Sequence, residues 1–245
     1  MILFAALIAA ADPSQLPAET MPDEKCAMPA SAERHACVAV NRQLAGRFTE
    51  AAKEFEAGAG LLKPGDPAAD RMLAAAGNMW IAAGQAGKAA VALDKALAGT
   101  GLLAEQRGEA LLDRARAAEA QNDLKTARAK VMAAAETISK DAFLWYFSAA
   151  LAIRENDPAT AKLAIGRALV LEPNDPTVLF EAGHVFHFAG DDAKARDYWT
   201  RASAADPKGK SGDAARRALA MMDVPIQVTD RVTSQPIGED EGGKE

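Results

Sequence analysis

Leu179-Phe180-Glu181-Ala182-Gly183-His184-Val185-Phe186, a turn at Gly190-Asp191, then Ala195-x3-Trp199-x2-Ala202-x4-Pro207 is the stretch that decides the fold. Large and very small residues alternate at helical spacing on both sides of the turn, so the stretch predicts two short antiparallel helices. Ala182, Gly183 and Ala195 lack bulk where two helices must meet, and Phe186 and Trp199 have the bulk to fill the space beside them. One such pair cannot bury its apolar face alone.

The same pattern recurs upstream. Ala51, Ala89, Ala127, Ala161 and Ala195 are spaced by 38, 38, 34 and 34 residues. The turn pairs Gly46-Arg47, Gly84-Gln85, Asn122-Asp123, Asn156-Asp157 and Gly190-Asp191 step by the same intervals, and Pro173 and Pro207 are again 34 apart. Three chemically different markers thus agree on the same intervals. The copy before the best one reads Trp145-x2-Ser148-Ala149-x2-Ala152 and Ala161-x3-Ile165-x2-Ala168-x4-Pro173. Earlier copies read Leu111-x2-Arg114-Ala115 with Ala127-x3-Val131-x2-Ala134, and Leu73-x2-Ala76-Gly77-x2-Trp80 with Ala89-x3-Leu93-x2-Ala96. The first is degenerate, with His35 and Arg42 at places normally apolar or aromatic, and reads either as a repeat or as a capping hairpin.

These spacings resemble the tetratricopeptide repeat. The resemblance covers roughly residues 32–222 and implies an all-α, right-handed superhelical solenoid of antiparallel helix pairs. The expected repeats are 32–65 (degenerate), 70–103, 108–141, 142–175 and 176–209, with a solubilising cap helix over 210–222. The four-residue excess of the two upstream steps falls near Lys63-Pro64-Gly65-Asp66-Pro67 and Thr100-Gly101, which reads as longer inter-repeat loops.

Composition agrees. Apolar residues make up 49% of the 245-residue chain and aromatics only 5%, with alanine dominating the apolar share. That favours close-packed helices over a β-sandwich or barrel. A formal net charge of -6 removes the broad basic footprint of a nucleic-acid binder. No apolar run is long enough to cross a bilayer as a helix.

At the start, residues 1–11 (Met1 to Ala11) have the length of the apolar region of an export signal and end in small residues. The basic residues that usually precede such a region are missing, so a start further upstream, or a buried strand or helix, stays open. A leader over 12–31 follows. Cys26 and Cys37 are the only two cysteines; in an oxidising compartment they read as a disulfide, in a reducing one as two thiols. The expected location is periplasmic or secreted, with cytoplasmic as the alternative. Residues 223–245, ending Gly238-Glu239-Asp240-Glu241-Gly242-Gly243-Lys244-Glu245, read as a disordered acidic tail.

The resemblance also implies a site. In tetratricopeptide proteins the first helix of each pair lines a concave groove that takes peptides or partner helices. Carried onto this chain, the groove positions are Phe143, Tyr146, Ala150, Ile153 and Arg154, then Phe180, His184, His187 and Phe188. The stretch upstream, with Glu109, Leu112, Arg116 and Glu119, is more polar. Members that grip a terminal carboxylate use Lys, Asn and Arg there, and these two copies offer Arg154 alone. The expected function is a non-catalytic protein-interaction scaffold or adaptor holding an apolar peptide or helix, in a bacterial-type cell envelope, with no cofactor. Alternatively, the tail segment Pro225-Ile226-Gln227-Val228 covers the rings, or the repeats stack between copies as a self-associating module.

Catalytic patterns are thin. Glu181-x-x-His184 has a metal-ligand spacing, and Glu181, His184 and His187 form a third alternative, a metal site. Gly209-Lys210-Ser211 lacks the upstream glycine of a phosphate-binding loop, and neither Gly-x-Ser-x-Gly nor His-Glu-x-x-His occurs.

Overall fold

The computed structural model describes residues 26, 27 and 29–223; the expected export signal, most of the leader and the tail beyond Asp223 lie outside them. Among the described residues the chain forms eleven α-helices and no strand. Five antiparallel pairs run α1 (Ala32–Leu44) with α2 (Phe48–Gly60), α3 (Pro67–Ala82) with α4 (Ala86–Ala98), α5 (Ala104–Ala120) with α6 (Leu124–Ile138), α7 (Ala142–Arg154) with α8 (Pro158–Leu171), and α9 (Pro176–Phe188) with α10 (Asp192–Ala205). A single helix, α11 (Lys210–Met222), closes the array.

Each pair turns by the same device. Gly46, Gly84, Asn122, Asn156 and Gly190 all have positive φ, between 59° and 78°. The residue after each donates its backbone N–H to the carbonyl five positions back, as from Asp157 to Ala152 and from Asp191 to Phe186 (both 2.9 Å). This is the left-handed helix stop that favours Gly and Asn, and it ties up the last carbonyls of the first helix. The following residue then starts the second helix: Asp123, Asp157 and Asp191 accept backbone N–H bonds as N-caps. Arg47 and Gln85 make no such side-chain cap.

The five marker alanines, Ala51, Ala89, Ala127, Ala161 and Ala195, are wholly buried at the crossing of each pair. Gly77 and Gly183 take the facing positions, where a β-carbon would lie 2.4 Å from Leu93 Cγ and 2.2 Å from Trp199 Nε1. Leu93, Val131, Ile165 and Trp199 are buried one turn after the alanines and form the backbone of a continuous core. Burying one such side chain contributes about 1.5–3 kcal/mol. Trp145 and Phe186 differ from the expected filling role, for both stay half-exposed. Trp145 lies under the Arg167 guanidinium at 4.3 Å, and Phe186 stacks on Tyr198 at 5.3 Å.

The four-residue excess upstream is only partly spent on loops, which span 61–66 and 99–103 against the shorter 139–141 and 172–175. It also lengthens the first helices: α3 has 16 residues and α5 has 17, against 13 in α7 and α9. Asp66 caps α3 and Pro67 opens it, so helix begins at once after the turn. The added turn is used, because Asp70 Oδ2 accepts the Gly101 N–H at 2.7 Å. A β-carbon on Gly101 would meet the Pro67 Cα at 2.4 Å.

The degenerate first copy is a helix pair like the others. Its polar residues at apolar places are paired: His35 Nδ1 lies 2.7 Å from Glu54 Oε2, and Arg42 lies 3.5 Å from Glu50. Cys26 and Cys37 are joined by a disulfide that ties the segment before α1 to that helix. At the other end Ala215, Leu219 and Met222 of α11 cover Trp199 and Ala202. Gly212 allows that approach, since a β-carbon there would lie 1.7 Å from the Asp206 carbonyl oxygen.

Candidate functional site: a ring-bearing helix surface

Among the first helices of the pairs, α3 packs beside α5 and α7 beside α9, while Arg116 and Arg154 bridge α5 and α7. Residues three and four apart share a helix face. On α7 that face carries Phe143, Tyr146, Phe147, Ala150, Ile153 and Arg154; on α9 it carries Phe180, Glu181, His184, His187 and Phe188.

The rings meet edge to face. Phe143 stands 4.9 Å from Tyr146, and Phe180 stands 4.5 Å from His184. His184 in turn packs against Trp199 at 5.4 Å. Phe147, which the sequence reading left out, joins Phe143 at 6.1 Å. Tyr146 and Ile153 lean on the core of α7, α8 and α9, so these side chains are half-buried rather than free. Phe188 is half-buried at the end of α9 and joins no ring pair among the described residues. His187 is exposed and holds Asp192 Oδ1 at 2.7 Å.

Two residues depart from their expected roles. Leu112 is buried in the core beneath α5 and α6 rather than facing the groove. Arg154 is engaged: it donates to the Glu119 carbonyl (3.0 Å) and carboxylate and to Asn122 Oδ1 (2.7 Å), bridging α7 to the pair before it. The upstream surface is likewise self-paired. Asn78 Nδ2 donates to Asp113 at 2.7 Å, Asp113 accepts from Arg116 at 2.7 Å, and Arg116 lies 5.3 Å over the Phe143 ring. The two cations nearest the rings therefore already hold acids of this chain.

Electrostatics separates α9 from the rest. Burial pushes the Glu181 carboxyl up to about 7. Burial, aided by the His187 charge, depresses His184 to about 4. Burial, then the negative charges of Glu181 and Asp175, raises the Tyr146 hydroxyl above its usual range. The alternative of a metal bound by Glu181, His184 and His187 is corrected. Among the described residues no group of three or more His, Cys, Asp or Glu side chains is placed to hold an ion. His184 is turned onto Phe180 and Trp199, and His187 onto Asp192.

The outer side was not foreseen. Met132, Leu163 and Val170, on α6 and α8, are 66%, 63% and 82% exposed. Leu163 and Val170 edge a shallow pocket of about 410 Å³ beside Trp145 and Arg167. Among the described residues no helix is long and apolar enough to cross a membrane.

This arrangement is the tetratricopeptide-repeat fold, and solved structures of that class superpose on it. PilF of Pseudomonas aeruginosa matches with a TM-score of 0.62 at 15% identity, covering 78% of this chain and 83% of that one. MamA of Desulfovibrio magneticus RS-1 matches at 0.60 and 17% identity, over 75% of this chain and 99% of its own. YrrB, described as a TPR protein with an unusual peptide-binding site, matches at 0.56 and 15% identity, over 86% and 98%. No protein-family profile and no curated protein sequence matches the chain. The protein is thus a tetratricopeptide-type solenoid by fold.

Proposed function

We propose that this protein is a non-catalytic interaction scaffold whose concave surface at α7 and α9 takes an apolar peptide or amphipathic helix of another protein. One observation carries the reading. The rings of Phe143, Tyr146, Phe147 and Phe180 gather on neighbouring helices of a rigid array, while the nearby Arg116 and Arg154 are spent on internal acids. Apolar side chains inserting between preformed rings bind by burial, and a prepaid framework lowers the ordering cost. The same pairing of Arg154 argues against a grip on a terminal carboxylate. The description of YrrB supports a peptide site on this fold. A Tyr146→Ala, Phe180→Ala double variant is expected to keep its circular dichroism spectrum and lose its captured partner. Equal recovery of the same partner by both proteins removes the proposal.

A second reading, self-association, is favoured by the exposed Met132, Leu163 and Val170 on the outer side. Light scattering over a concentration series tests it, with a rising mass expected and a constant monomer mass counting against it. The Cys26–Cys37 disulfide supports placement in an oxidising compartment such as the periplasm. Thiol labelling of protein taken from the native cell tests that placement, with two free thiols as the contrary result.

A further inference from the structure

We propose that Glu181 receives one basic side chain, a lysine or an arginine, carried by the otherwise apolar peptide or helix in the groove, with the rings of Tyr146 and Phe180 beside it. This rests on the groove reading above and names the chemistry of its occupant.

Glu181 follows Phe180 on α9 and stands one turn before His184, and its charge is felt at the Tyr146 hydroxyl on the neighbouring α7. Among the described residues it makes no hydrogen bond and no ion pair. Several other acids of this side are answered within the chain, while Glu105 and Glu109 of α5 make no hydrogen bond or ion pair among the described residues. Asp113 accepts from Asn78 and Arg116, and Glu119 from Arg154. Asp141 and Asp175 cap the backbone of α7 and α9. Among the described residues Glu181 is the unanswered acid of the ring-bearing helices α7 and α9.

A half-buried carboxyl between Phe180 and Ala182 in the chain loses hydration and regains no hydrogen bond among the described residues, which is costly. Burial already holds it toward its neutral form. An arriving ammonium or guanidinium supplies the missing charge-assisted bond in a setting of lowered dielectric. The electron-rich ring faces attract the same cation. Charge complementarity runs the same way around the site. Glu109, with Glu105, Asp113 and Asp141 acting on it, adds negative potential upstream, and the nearest arginines are already paired. An acidic or purely apolar segment would leave Glu181 desolvated and unpaired; a basic one resolves it.

The test uses the full chain and a displayed random library of 12-residue peptides. Selected peptides are synthesised and titrated by fluorescence polarisation against wild type, Glu181→Gln, Glu181→Lys and the Tyr146→Ala, Phe180→Ala double variant. The expected peptides share apolar positions and one Lys or Arg. Changing that residue to Gln, or Glu181 to Gln, weakens binding about tenfold or more, and Glu181→Lys shifts preference to peptides bearing Glu. Peptides that need Tyr146 and Phe180 yet bind Glu181→Gln unchanged overturn the charge assignment and leave the groove reading standing. Selection of no peptide, or binding indifferent to the double variant, overturns the groove reading and this inference with it.

Discussion

Gly183 and Trp199 are in such close contact that a β-carbon on the glycine would stand 2.2 Å from the indole Nε1. The same indole donates to the Phe180 carbonyl at 3.1 Å, so it cannot slide aside without losing that bond. Gly183→Ala is therefore expected to destabilise the C-terminal pair by about 1–3 kcal/mol through overpacking, although alanine is the better helix former. Urea denaturation measures it. A stability equal to or above wild type would show that Trp199 has room to move.

The five left-handed turn residues make a matched series. Gly190→Ala places a β-carbon at φ 78° and is expected to cost about 1–2 kcal/mol. Asn156→Gly removes one from φ 59° and is expected to stabilise or leave stability unchanged. Opposite signs in melting experiments are the check; parallel changes would mean that the turns do not govern stability.

Glu181 and His184, one turn apart on α9, work against each other as pH changes. The Glu181 carboxyl titrates near 7 in the folded chain against a usual 4.5, so the folded state holds the extra proton between those values. Its contribution makes stability fall as pH rises from 4.5 to 7. His184 titrates near 4 against a usual 6.5, so the unfolded chain holds the extra proton and stability falls as pH drops from 6.5 to 4. The slopes largely cancel in wild type. Glu181→Gln is expected to expose the histidine slope, losing stability on acidification from pH 6.5, while gaining relative to wild type at pH 8. Superimposable profiles of the two proteins would refute this.

Cys26 and Cys37 are 11 residues apart, a loop whose closure is worth about 2–3 kcal/mol. Because repeats draw stability from their neighbours, replacing both by Ser is expected to loosen α1 and α2 and spare the distant end. Hydrogen exchange should quicken over 32–60 and stay unchanged over 176–222. Uniform quickening would indicate one cooperative unit.

Much of the fold was readable because its determinants are local. The turn residues and the buried alanines recur together at intervals of 38 and 34 residues, and a helix pair with its left-handed stop forms within thirty-odd residues of chain. The four-residue insertions read as loop and prove to be part loop, part helix, since a gap in the pattern does not say where the loop ends and the helix starts. The capping strength of Asp66 and the docking of Asp70 on Gly101 settled that. The resemblance to the tetratricopeptide repeat pointed to the rings along α7 and α9, Phe147 excepted. The engagement of Arg154 by Glu119 was not legible, for the partners lie 35 residues apart and meet only through stacking.

What the amino-acid order determined by itself was the unit: where each helix stops, which side of it is small, and how often the unit returns. Short-range sterics and hydrogen bonds suffice for that. Only the tertiary arrangement decided which charges are spent and which are left over. Coulomb energy and desolvation depend on through-space distance, and successive pairs bring side chains from different repeats onto one surface. The unanswered, half-buried carboxyl of Glu181 is a property of that assembly.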